Sequence, residues 1–98
     1  MGAQFIHVNC KNKLNLQEIE ETYRNIQQHD KLRNGGHDGY SGDFQTLKHV
    51  ELHEEVFEDL QSAILYCSQN STKWGNAIAT YYLKNNTVYT LFAGMAAI

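Results

Sequence analysis

The sequence predicts an α+β domain of two layers, a mostly antiparallel sheet with two helices on one face, in the order β-α-β-α-β-β. Three observations predict it. Segments with an apolar period of two alternate with segments of helical period. The chain closes with a hairpin signal, two β-prone runs on either side of Lys84-Asn85-Asn86-Thr87, and asparagine accepts the positive φ that a tight turn needs. The length of 98 residues, 42% of them hydrophobic and 19% charged, supplies apolar material for one core and not for two. Residues 1–98 therefore read as a single domain.

Each element has its own signal. Residues 3–10 alternate as a strand, with Ile6, Val8 and Cys10 on one face and Phe5, His7 and Asn9 on the other. A helix follows. Asn15 and Glu18 have the spacing of a capping box, Leu14 precedes them as a staple, and Leu16, Ile19, Tyr23 and Ile26 form one apolar stripe. Asn34-Gly35 is a helix stop. Residues 43–53 read as a second strand, with Val50 and Leu52 facing one way and His49, Glu51 and His53 the other. Residues 54–70 read as a second helix that begins as late as Glu58 or Asp59, carrying Phe57, Leu60, Ile64 and Cys67 with Ala63 beside them. Residues 77–83 and 87–92 form the hairpin. Its tyrosines, Tyr81, Tyr82 and Tyr89, predict aromatic surface and a homodimer formed through the hairpin sheet.

Composition excludes several classes. A formal net charge of −3 with dispersed basic residues argues against general nucleic-acid binding, which needs a basic face. No run of the sequence approaches the ~18 apolar residues of a membrane span. Gln4, His7 and Asn9 interrupt the first ten residues, which therefore lack the apolar region of a secretory signal. Cys10 and Cys67 are too few for a disulfide framework. Two core thiols in a reducing, cytoplasmic setting are expected, and the sequence calls for no cofactor.

Function is expected in the connection after the first helix. Four of seven glycines, Gly35, Gly36, Gly39 and Gly42, fall between Asn34 and Asp43. Glycine lets ligand groups approach the main chain, and consecutive amides in such turns form anion-binding hollows. The predicted ligand contacts are Gly36, His37, Gly39, Tyr40, Ser41 and Gly42. Arg33 and Lys73 would supply charge, and Trp74 a stacking face. The loop matches no named phosphate fingerprint. His37 with Asp38 is a candidate acid–base pair. His49, Glu51 and His53 place two imidazoles and a carboxylate on one strand face, the donor types of a divalent metal site. The outer two, however, lie about 13–14 Å apart on a straight strand. Ser41 does not sit in a nucleophile elbow.

Gly39-Tyr40-Ser41-Gly42-Asp43 and Lys73-Trp74-Gly75-Asn76-Ala77-Ile78-Ala79, with a helix between them and an apolar ending, resemble a group of small proteins of bacteria and their phages. The resemblance runs from Gly35 onward and carries no activity. It implies a single domain in an intracellular or phage setting, with Tyr40, Ser41, Gly42 and Trp74 in one site. The sequence thus supports three readings. The first is a small binding protein for a phosphorylated or nucleotide-like ligand at residues 34–43. The second is a protein-interaction or inhibitory accessory module of phage type, and the third a small hydrolase using His37, Asp38, His49 and Glu51.

Overall fold

The computed structural model describes residues 2–33, 44–72 and 74–97, with residues 31–33 as backbone only. Seven elements follow one another: β1 Ala3–Cys10, α1 Leu16–Arg33, a 3-10 turn Phe44–Thr46, β2 Val50–Phe57, α2 Leu60–Asn70, β3 Ala77–Lys84 and β4 Thr87–Ala97. The strands form one sheet in the order β1-β4-β3-β2. β4 pairs antiparallel with both β1 and β3, while β2 runs parallel to β3. The parallel pair follows from α2, which returns the chain to the start of the sheet so that β3 repeats the direction of β2. The α+β class, the element order and the mostly antiparallel sheet are those that the sequence predicts.

Local signals explain the boundaries. The amide of Asn15 donates to the Glu18 carboxylate at 3.0 Å and that of Glu18 to the Asn15 side chain at 2.8 Å. This reciprocal capping box starts α1. Asp59 caps α2, accepting from the Ser62 amide at 2.8 Å, and this backbone bond holds the Asp59 carboxyl below its usual pKa. The second strand therefore extends to Phe57, four residues beyond the expected end at residue 53, and the helix begins at Leu60. Asn85 and Asn86 adopt φ 51° and 63°, the pattern of a two-residue hairpin turn matched to strand twist. β4 continues to Ala97.

The helices do not share a face. Ala77, Ala79 and Tyr81 of β3, with Phe92 of β4, pack with Ile19 and Tyr23 of α1. The alternate residues Ile78, Tyr82, Leu91 and Ala93 pack with Ala63 and Cys67 of α2. Successive strand side chains point to opposite faces, so α1 and α2 cover opposite faces and the molecule has three layers where two were expected. The reason is visible in β3, where Ala77 through Tyr82 are all buried. A strand covered on both sides reads as a continuous apolar run.

That burial also limits what the hairpin sheet exposes. β3 and β4 are the two central strands, both edges of each are already hydrogen-bonded, and Tyr82 is only 1% exposed. Of the hairpin, only the turn from Leu83 to Thr87 is exposed. The sheet's outer edges belong to β1 and β2.

Candidate functional site

A polar cleft lies where α1 meets the segment leading into β2. Its floor is set by the apolar stripe of α1, which turns Ile19, Tyr23 and Ile26 onto the sheet. One residue after Tyr23, Arg24 falls on the exposed flank. The chain from Phe44 to Lys48 is fastened to the same helix. The Asp30 carboxylate, in a side chain buried against the turn, accepts from the Phe44 amide at 3.1 Å. The Gln27 side-chain amide lies 3.1 Å from the carbonyls of both Phe44 and Leu47. The Tyr23 hydroxyl donates to the Lys48 carbonyl at 3.2 Å, and burial raises the Tyr23 pKa, which keeps it a donor. Thr46 accepts from the Ala97 amide at 3.1 Å, tying the turn to the end of β4. Gly94 makes room for Leu47: a Cβ there would stand 2.5 Å from Leu47 Cδ1.

The result is an open cleft of about 330 Å³ lined by Glu20, Tyr23, Arg24, Gln27, Lys48 and His49. Two permanent cations and an imidazole face it from two elements, with one carboxylate at its rim. These are donors suited to an oxyanion. Lys48 also borders a second hollow of about 280 Å³ on the other side of β2, with Glu51, Asn70, Thr72 and Asn76. Between the hollows the strand start is cross-braced. The Lys48 amide donates to the Gly75 carbonyl at 3.0 Å and the His49 amide to the Asn76 side chain at 3.2 Å, while Asn76 in turn donates to the Glu51 carboxylate at 2.7 Å.

The predicted site residues fare differently. Gly36, His37, Asp38, Gly39, Tyr40, Ser41, Gly42 and Lys73 lie outside the described residues, and of Arg33 only the backbone, at the end of α1, is described. Trp74 is no core residue: it is 40% exposed, with φ 65° in the turn that borders the second hollow. The strand triad does not assemble. His49 lines the α1 cleft, Glu51 holds Asn76, and His53 stacks on Tyr66 of α2 with ring centroids 4.2 Å apart while its Nε2 lies 3.0 Å from the Glu55 carboxylate. Among the described residues no three His, Cys, Asp or Glu side chains gather as metal ligands. Among the described residues, the hairpin tyrosines do not form the expected exposed patch. Tyr82 is buried and Tyr89 half-buried against it, with centroids 5.3 Å apart. Burial raises the thiol pKa of Cys10, and that of Cys67 to about 11, which leaves both as weak nucleophiles.

Arg24, Gln27 and Lys48 were missed. Their signal was present but modest: a Tyr-Arg-x-x-Gln run on one helix flank, and Lys48-His49 directly before an alternating strand. Comparison with protein-family models, curated proteins and solved structures returns no match. No helix among the described residues is long and apolar enough to cross a membrane.

Proposed function

We propose that the chain is a binding protein for a small anionic ligand, with phosphorylated and nucleotide-like molecules as the favoured class. The observation that carries this reading is the cleft of Arg24, Lys48 and His49, a local cluster of cationic donors in a chain of net charge −3. Oxyanion recognition depends on local donors and a fixed backbone rather than on global charge. Here the backbone beneath Lys48 is held by Tyr23 and Gln27. The Gly-rich segment joins this site in sequence. It leaves from the end of α1 and returns at Phe44, which is bonded to Asp30 and Gln27 of that helix. The ligand contacts expected from its amides, Tyr40 and Ser41 lie outside the described residues.

Isothermal titration against a panel of nucleotides and phosphorylated metabolites tests the proposal. At least one member gives saturable heat that weakens as salt is added. Arg24→Ala and Lys48→Ala each weaken it about tenfold, the scale of one charge-assisted hydrogen bond, without moving the unfolding midpoint. No heat from any member at millimolar concentration overturns the proposal.

A further inference from the structure

The outer edge of β1 meets no partner strand among the described residues, and its sequence and register lack the charges, prolines and bulges by which proteins close an edge. Its eight residues, Ala-Gln-Phe-Ile-His-Val-Asn-Cys, include no Lys, Arg, Asp, Glu, Pro or Gly. All eight pair with β4 in one unbroken register from Ala3↔Ala97 to Cys10↔Thr90, so no bulge turns the edge away. None of the eight is buried, and Val8 stands 37% exposed. Such an edge presents a row of free amides and carbonyls as a template for another strand.

We infer that this edge pairs antiparallel with β1 of a second copy of the chain about a twofold axis, joining two four-stranded sheets into one of eight. Charge selects this occupant. A neutral strand meets its own copy without like-charge repulsion, whereas β2 against itself about an axis at His53 would set Glu51 facing Glu55 of the copy, in both directions. The twofold also has a geometric consequence. Its axis stands perpendicular to the sheet and keeps each face on its own side, so residues of equal parity must oppose. With the axis at His7, Ile6 faces Val8 of the second copy on the α1 side, and Phe5 faces Asn9 on the other side. His7 faces its own equivalent. This register covers Val8 twice and leaves only the glutamate-bearing β2 edges at the ends of the joined sheet.

Sedimentation of the full chain at tens of micromolar tests the inference. The wild type sediments at twice the chain mass. Val8→Lys, which removes two Ile6–Val8 contacts per dimer, raises the dissociation constant about 100-fold with unchanged far-UV circular dichroism. His7→Lys and His7→Glu chains are each weakened alone and form a one-to-one dimer when mixed, a rescue that a structural defect would not show. A monomeric wild type, a dimer indifferent to Val8→Lys, or mixing without rescue overturns it.

Discussion

β1 and β2 are both eight residues long and both end the sheet, but they treat their outer edges in opposite ways. β1 is uncharged and regular. β2 carries three glutamates, and its register with β3 breaks between Leu52↔Ala79 and Val56↔Tyr81, so that three residues of β2 stand against Thr80 alone. That irregular stretch is secured from below. The fully buried Thr80 hydroxyl lies 2.9 Å from the His53 carbonyl and 3.1 Å from that of Glu55. On the same, α2-covered face, His53 stacks on Tyr66 and faces Glu55. The contrast teaches that one sheet can end in an irregular, acidic edge beside its polar cleft and in a regular, uncharged edge on the other side. A bulge and acidic side chains are among the features by which proteins close a sheet edge.

Making the closed edge resemble the open one has the largest expected effect. Replacing Glu51, Glu54 and Glu55 together by Thr leaves both edges neutral, and the chain then associates beyond a dimer. Light scattering at increasing concentration should show growth without a plateau, where the wild type stops at two copies.

Removing the support of the bulge comes next. Thr80→Val withdraws the hydroxyl from beneath two carbonyls in the core, and urea unfolding should show a loss of about 2 kcal/mol. Amides of β2 exchange faster, while those of β1 keep their wild-type rates.

An alkaline titration sharpens the contrast between the buried and the half-exposed thiol. Burial raises the Cys67 thiol from 9.0 to about 11. The unfolded chain therefore loses this proton first, and stability is full below about pH 9 and falls as pH rises toward 11. The loss is on the order of 1–2 kcal/mol, and Cys67→Ala flattens that part of the curve in urea melts across pH 8–11. Cys10, on β1 and half-buried, is alkylated by iodoacetamide before Cys67 in the native protein.

The smallest effect is at the start of β2. Asn76→Ala removes the bonds to the His49 amide and the Glu51 carboxylate, both exposed. Thermal unfolding should register about 1 kcal/mol.

Much of the fold was legible because its signals are local. The Asn15–Glu18 box, the Asn85-Asn86 turn and the alternation of residues 3–10 each act within a few residues, and each forms as read. The sequence places both helices on one face because the apolar run Ala77–Tyr82 reads equally well as half of a hairpin and as a strand covered on two sides. The second strand was cut short because Glu54 and Glu55 look like a helix start, while the bulge that accommodates them depends on Thr80, distant in sequence. The α1 cleft was hidden for the same reason. Arg24 and Lys48 are 24 positions apart, and only Tyr23 and Gln27 gripping the Lys48 backbone bring their surroundings together. The Gly-rich candidates, His37 through Gly42, lie outside the described residues.

Hydrogen–deuterium exchange of the full chain at two concentrations, one well above and one well below the dimer dissociation constant, tests the division between the edges most directly. The account predicts that dilution speeds exchange in residues 3–10 alone and leaves residues 50–57 unchanged. Equal rates for residues 3–10 at both concentrations, or a change confined to residues 50–57, would contradict it.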